Sequence, residues 1–292
     1  MGAYLRPGAV PEAVEALAKG ASDGRPWVVV AGATDHYPAR VGRAPDEDVL
    51  DVSAIAELRG IRRSSDDGDR WRIGALTTWT DLVETPLPPL FDGLKQAALA
   101  VGGLQIQARG TLVGNVCNAS PAADGLPCLV ALDAVVELES ARGQRRVPIA
   151  EFVVGNRRTM RAADELVTGL LIPAALPGTI VRSAFEKLGS RAYLVISIAM
   201  VAAVAEVNAD GRVARARVAV GACSEVAQRL PALEAELVGV TCGPAAARAV
   251  SATVRPEHVA GLSPIDDVRG SGVYRRDAAL MLVRRALERV LA

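Results

Sequence analysis

The stretch "AGATDHYPARVG", Ala31 to Gly42, follows the apolar run "WVVV", Trp27 to Val30. It holds two glycines, an acid and one of only two histidines in the chain. A β-rich run that stops on a glycine-bearing polar segment predicts a strand entering a turn, whose backbone N–H groups are of the sort that cradle phosphate oxygens. Ordinary turn chemistry accounts for the same residues, because Gly tolerates any φ and Asp can fix its own turn. The segment lacks the full G-x-G-x-x-G spacing, and nothing in the chain matches G-x-x-x-x-G-K-[ST]. A second glycine-bearing loop, "GTLVGN" (Gly110–Asn115), follows a polar turn. Two such loops can grip one diphosphate.

Outward from the first loop, helix and strand signals alternate. "PEAVEALAKG" (Pro11–Gly20) begins with Pro and an acid and closes on Gly, which predicts a helix. Asp48–Ser53 reads as a short buried strand. Trp71–Leu76 alternates as a strand, and Thr78 with Asp81 three residues on predicts a capping box. Leu90–Val101 is expected to be helical. Val101–Pro127 is too polar and glycine-broken for one regular element. "CLVALD" (Cys128–Asp133) ends a helix, Ala134–Ile149 is a hairpin turning at Arg142-Gly143, and Asp164–Pro173 is a strand. Pro and Gly cluster in "PAALPG" (Pro173–Gly178), the expected domain boundary. Three antiparallel strands are predicted beyond it, at Thr179–Leu188, Ala192–Val207 and Arg212–Ala222. In the closing helix, Tyr274–Leu291, residues Leu280, Val283, Leu287 and Val290 share an apolar face, leaving Arg284, Arg285 and Arg289 for solvent.

Composition narrows the function. The chain has 292 residues, 50% of them hydrophobic, with Lys+Arg and Asp+Glu both at 33 and a net charge of +0. Such a balance lacks the basic footprint of a nucleic-acid binder. The N-terminal "MGAYLRPGAV" lacks a signal-peptide pattern, and the longest nearly apolar run, Tyr193–Ala205, is short of the roughly 20 residues a membrane helix needs. A cytoplasmic protein without membrane insertion is expected. Cys117, Cys128, Cys223 and Cys242 show no close pairing, so neither a zinc site nor an iron–sulfur cluster is signalled, and buried reduced thiols are expected. Neither His36 nor His258 adjoins a nucleophile motif, which argues against hydrolysis; His258 is expected on an exposed helix or loop.

Seven segments then carry a specific resemblance: "YLRPGAVPEAVEAL", "VVVAGATDHYP", "RIGALTTWTDL", "QIQARGTLVGNVCNASPAADGLPCLVALDAVVEL", "RRTMRAADELVTGLLIP", "FEKLGSRAYLVISIAMVAAV" and the tail "PIDDVRGSGVYRRDAALMLVRRALERVL". In content and order they resemble the FAD-binding (medium) subunit of molybdenum hydroxylases, the family of xanthine dehydrogenase and aerobic carbon monoxide dehydrogenase. The resemblance implies an α+β fold: a two-part, PCMH-type FAD-binding domain over residues 1–176, with subdomains of about 1–57 and 58–176, then a C-terminal domain over 177–292 with a three-stranded antiparallel sheet and helices.

It also implies a site. FAD would lie with its diphosphate on Val29, Val30, Ala31, Gly32, Ala33, Thr34, Asp35 and His36 of the first loop and on Thr111, Leu112, Val113, Gly114 and Asn115 of the second. Asp124, with Ser120 and Ala119, would lie near the cofactor, and Val167 and Lys187 near the isoalloxazine. Simpler roles stay open: Asp124 as a helix cap, Asp35 as a turn former, Lys187 in a surface ion pair with Glu186. Where this family has AGGTD and GTIGGN, this chain has Ala33 and Val113. Negative φ is expected at both, which would make the substitutions harmless. His36 is expected to pack or to hydrogen-bond the ribityl side rather than to bond FAD covalently.

The resemblance implies an electron-transfer subunit of an oxidoreductase, with no catalytic side chain and no metal ligand of its own. Molybdopterin would sit in a large partner subunit and iron–sulfur clusters in a small one, and electrons would leave FAD for NAD+, oxygen or another acceptor. Two alternatives remain: a self-sufficient FAD-dependent oxidase or dehydrogenase of a small molecule, and a scaffold subunit that has lost FAD.

Overall fold

The structure, a computed structural model, describes residues 2–42, 46–64 and 68–292. Its first sheet is small and parallel: Val49–Asp51 lies between Tyr4–Leu5 and Val28–Val30, with Val49 opposite both Tyr4 and Val28. Parallel neighbours need a crossover, and the helix Val10–Ser22 supplies it. Pro11 opens that helix, and Val10, Ala13, Val14 and Leu17 bury one face at helical spacing.

The second sheet is antiparallel and runs in the order Ile61–Ser64, Arg70–Gly74, Leu166–Pro173, Val135–Ser140, Gly143–Pro148. The predicted hairpin is its edge, and Gly143 takes φ +109° where the chain reverses. Leu166–Pro173 is the central strand, buried along almost its whole length as its largely apolar sequence requires.

Between Arg70–Gly74 and Val135–Ser140 of this sheet the chain makes short helices. The predicted capping box at Thr78 is present: Asp81 N donates to Thr78 Oγ1 (3.1 Å) and Thr78 N to Asp81 Oδ2 (2.9 Å). Beyond the helix Asp92–Ala100, the glycine-broken segment folds as three further helices, Leu104–Arg109, Leu112–Asn118 and Gly125–Ala131. They are interrupted at Gly103, at Gly110 and over residues 119–124.

The C-terminal sheet contains the three expected antiparallel strands, now Ile180–Leu188, Ala199–Val207 and Val213–Gly221. Two details depart from expectation. A fourth strand, Gln228–Arg229, extends the sheet, too short to carry a period of its own. Residues 192–198 stay outside the middle strand: Leu194 takes φ +51° and the Ser197 hydroxyl is drawn to Asp124, so the apolar run enters the sheet only at Ala199.

That middle strand is buried on both faces, and the pleat divides its side chains. Met200, Ala202 and Val204 join the core of the first 176 residues, whereas Ala199, Val201, Ala203 and Ala205 face the core that holds the closing helix Gly272–Leu291. Of the predicted apolar face, Val283, Leu287 and Val290 are buried and Leu280 is half-buried. The arginines of that helix are more engaged than predicted. Arg284 donates to Val254 O (2.7 Å) and Arg289 to Glu186 (2.7 Å).

Polar locks cross between the two halves. Asp133 accepts from Arg217 (2.9 Å) and Arg229 (2.6 Å). Glu206, fully buried, accepts from Arg217 (2.7 Å) and from Leu176 N (2.7 Å), which ties down the Pro173–Gly178 connection. No helix among the described residues is long and apolar enough to cross a membrane.

Candidate functional site: a cavity between two loops

The strand Val28–Val30 delivers the first loop directly onto the second. Gly32 makes the approach possible: a Cβ at that position would stand 1.8 Å from Arg109 O. Only a residue without a side chain lets the backbones come this close. The second loop is held from below, where Trp79 N donates to Gly110 O (3.2 Å) and Leu112 N to Thr77 O (3.1 Å). Thr111 then caps the helix Leu112–Asn118, its Oγ1 accepting from Gly114 N (2.9 Å).

Between the loops lies a cavity of about 520 Å³. Among the described residues, the N–H groups of Gly32, Ala33, Thr34, Asp35 and His36 have no hydrogen-bond partner. Consecutive N–H groups without a protein acceptor beside a cavity form a concave site that invites an anionic ligand. This backbone set, the Asn115 side chain and a guanidinium at Arg157 suit a diphosphate.

Ten of the residues expected from the sequence line the cavity: Val29, Val30, Gly32, Ala33, Thr34, Asp35 and His36 from the first loop, and Thr111, Gly114 and Asn115 from the second. Ala31, Leu112 and Val113 belong to the same loops without lining it. Val113 sits in the first turn of its helix, buried and free of left-handed strain, as expected. Ala33 contradicts the expectation, since its φ is +56°. The turn needs a left-handed residue there, and alanine takes it at a cost of roughly 1–2 kcal/mol.

Asp124, Ala119, Ser120, Val167 and Lys187 are not in the cavity wall. Ala119 is buried and left-handed (φ +48°), closing the helix that Thr111 opens. Ser120 Oγ accepts from Ala122 N (3.3 Å). Val167 is buried in the central strand opposite Leu138. Asp124 neither caps its helix through its side chain nor stands free: it accepts from Lys187 Nζ (2.7 Å) and Ser197 Oγ (2.6 Å). Lys187 also donates to Ala100 O (3.1 Å), so the ion pair with Glu186 weighed for it is replaced by this buried one. Burial pushes the Asp124 carboxyl up, against the opposing pull of Lys187 and Ser197.

His36 lines the cavity with its Nε2 3.6 Å from Glu47 Oε1 and the Tyr37 ring edge-on at 5.1 Å. Burial, with the nearby Arg40 cation, holds its imidazole below the usual range. Arg40 pairs with Glu47 and donates to His36 O (2.9 Å). His258, expected on an exposed helix or loop, is instead buried, accepting from Arg255 N at Nδ1 (3.0 Å) with Nε2 3.3 Å from Glu236. Cys128 and Cys223 are buried free thiols as expected, while Cys117 and Cys242 are half-buried. Cys117 reaches the cavity wall, and burial pushes its thiol up to about 11.

Several lining residues escaped the sequence reading. Trp79, Cys117 and Asn118 flank known motifs, so proximity in sequence was an available signal. Arg157 opens the segment "RRTMRAADELVTGLLIP", but nothing local to it signals a place beside the second loop some forty positions earlier.

With this geometry in view, the relatives are informative. Residues 1–175 match the family described as "FAD binding domain in molybdopterin dehydrogenase", and residues 183–290 match "CO dehydrogenase flavoprotein C-terminal domain". The carbon monoxide dehydrogenase medium chain of Afipia carboxidovorans is 31% identical, with 99% of this chain and 96% of that one covered. The nicotine 6-hydroxylase medium subunit of Paenarthrobacter nicotinovorans is 28% identical over 97% of this chain and 95% of its own length. Among solved structures, that of carbon monoxide dehydrogenase from Hydrogenophaga pseudoflava superposes with a TM-score of 0.85 at 29% identity, covering 99% of this chain and 96% of that one. The chain with the two-loop cavity therefore belongs to the family of FAD-binding flavoprotein subunits of molybdenum-containing dehydrogenases and hydroxylases, which are oxidoreductases.

Proposed function

We propose that this chain carries FAD in the cavity between its two loops and serves as the electron-transfer subunit of a molybdenum hydroxylase complex. A molybdopterin-bearing large subunit would oxidise the organic substrate, and the iron–sulfur clusters of a small subunit would supply electrons. Bound FAD suits such a junction because it accepts single electrons and releases a pair to NAD+, oxygen or another acceptor. The single observation that carries the reading is the set of N–H groups on Gly32–His36 that have no partner among the described residues, brought against the second loop by the glycine at position 32.

Within this reading the first-loop N–H groups, Thr111 and Asn115 hold the diphosphate, and the Thr111 cap fixes the second loop in place. Asp124 and Lys187, a buried ion pair tying three segments together, would brace the isoalloxazine side from outside the cavity lining, with Val167, Ala119 and Ser120. Residues 1–176 form the flavin domain, divided near 57, and 177–292 the second domain; the Pro173–Gly178 connection and the extents of the two family matches support that division.

The test is to reconstitute the full chain with FAD, reduce it anaerobically with dithionite, and mix it with NAD+ or with oxygen. The proposal expects flavin that acid releases as FAD, reoxidation by an acceptor, and no reduction of the isolated chain by small organic substrates. Direct reduction by such a substrate would favour a self-sufficient oxidase.

A further inference from the structure

Arg157 stands out among the residues of the cavity. Its backbone is left-handed (φ +59°), a conformation that disfavours any residue with a side chain. Two anchors fix it there. Its N–H donates to Ala119 O (2.9 Å), and its guanidinium Nη1 donates to Asn118 Oδ1. Ala119 is the left-handed residue that ends the helix Leu112–Asn118, so Arg157 is fastened to the far end of the helix whose first turn carries the second loop. The neighbouring arginines are spent elsewhere: Arg158 pairs with Glu225, and Arg161 donates to Glu165 O.

Charge distinguishes Arg157 further. Among the described residues, two arginines line the cavity. Arg40 is neutralised by Glu47, whereas Arg157, among the described residues, has only the neutral Asn118 side chain as partner for its guanidinium. A glycine would make this turn without strain. An arginine held in it, oriented by an amide and, among the described residues, free of any acid, is explained by an anion that enters the cavity, because guanidinium forms charge-assisted and often bidentate bonds with phosphate oxygens. Local strain of this kind is retained where it positions a working side chain.

We infer that Arg157 is a binding residue of the flavin site and donates to the diphosphate of FAD. This rests on the function proposed above. The guanidinium discriminates dinucleotide flavin from riboflavin, which offers no phosphate, and the left-handed turn holds it in place before the cofactor arrives.

The experiment titrates the full chain, freed of flavin, with FAD, riboflavin and inorganic phosphate, for the wild type, Arg157→Gly and Arg157→Asn. Both substitutions tolerate left-handed backbone and remove the charge. Loss of a hydrogen bond to a charged group predicts FAD affinity about tenfold to a hundredfold weaker, riboflavin affinity unchanged, and a higher melting temperature for the flavin-free Gly variant. Inorganic phosphate that binds the wild type alone and competes with FAD supports the same contact. FAD affinity unchanged in both variants overturns the inference, and so does an equal weakening of FAD and riboflavin, which assigns Arg157 a purely structural part. A wild-type chain that binds no flavin overturns the proposed function itself, and this inference with it.

Discussion

Lys187 Nζ lies 2.7 Å from Asp124 Oδ2, and the pair is largely withdrawn from water, with side-chain exposures of 11% and 9%. The other carboxylate oxygen takes the Ser197 hydroxyl at 2.6 Å. One acid thus joins the start of the helix Gly125–Ala131, the strand Ile180–Leu188 and the chain leading to Ala199. Lys187→Met leaves a buried carboxylate without its cation, and the expected loss of stability at pH 7 is about 3–5 kcal/mol. Burial already raises the Asp124 carboxyl, so the neutral acid is the form the fold favours; stability is greater below its ordinary range and falls as pH rises through the raised value. The Lys187→Met loss should therefore shrink on acidification, and adding Asp124→Asn should recover much of it. Urea unfolding at pH 7 and pH 5 checks this, and a pH-independent loss would contradict it.

Ala33 occupies a left-handed turn position that glycine fills without strain. Ala33→Gly should raise stability by about 0.5–1 kcal/mol, the relieved strain exceeding the added entropy of the unfolded chain. Calorimetry on the flavin-free chain measures the change. A lower melting temperature would show that the alanine methyl packs usefully.

The glycine one residue earlier behaves in the opposite sense. A methyl at Gly32 would meet Arg109 O at 1.8 Å, and the obstacle is backbone, which cannot swing aside. Gly32→Ala should separate the two loops and abolish FAD binding, while circular dichroism keeps the signature of the remaining sheets. Retained FAD affinity in this variant would mean that the loops are not jointly required.

His36 links the cavity to pH. Burial, then Arg40, depresses its imidazole, so the folded chain favours neutral histidine. Stability from this residue is present above the ordinary histidine pKa of about 6.5 and is lost as pH falls through the depressed value. His36→Gln should flatten the melting temperature between pH 7 and pH 5 relative to the wild type. An identical profile for both chains would remove His36 as the cause.

How much of this was legible beforehand depended on how local the signal was. The Thr78 capping box, the hairpin at Arg142-Gly143 and the crossover helix behind Pro11 each follow from residues a few positions apart, and each is present. Sequence also identified both loops, and ten of their residues line the cavity. What it missed depends on distant partners. The burial of His258 arises from Glu236 and the surrounding core, the delayed strand start at Ala199 from Asp124, and the place of Arg157 in the wall from its tie to Ala119. Ala33 takes its left-handed φ between Gly32, packed on Arg109 O, and Thr34, whose Oγ1 lies beside Gly110, a juxtaposition that no local propensity encodes.

The most direct test of the account is an equilibrium titration of the full chain with FAD, followed by flavin fluorescence and visible absorption, with Gly32→Ala alongside. One FAD bound per wild-type chain, released by acid, with no binding by the variant, is the predicted result. A colourless wild-type chain that cannot be reconstituted, or a variant that binds FAD as tightly as the wild type, would contradict the assignment of the two-loop cavity as the flavin site.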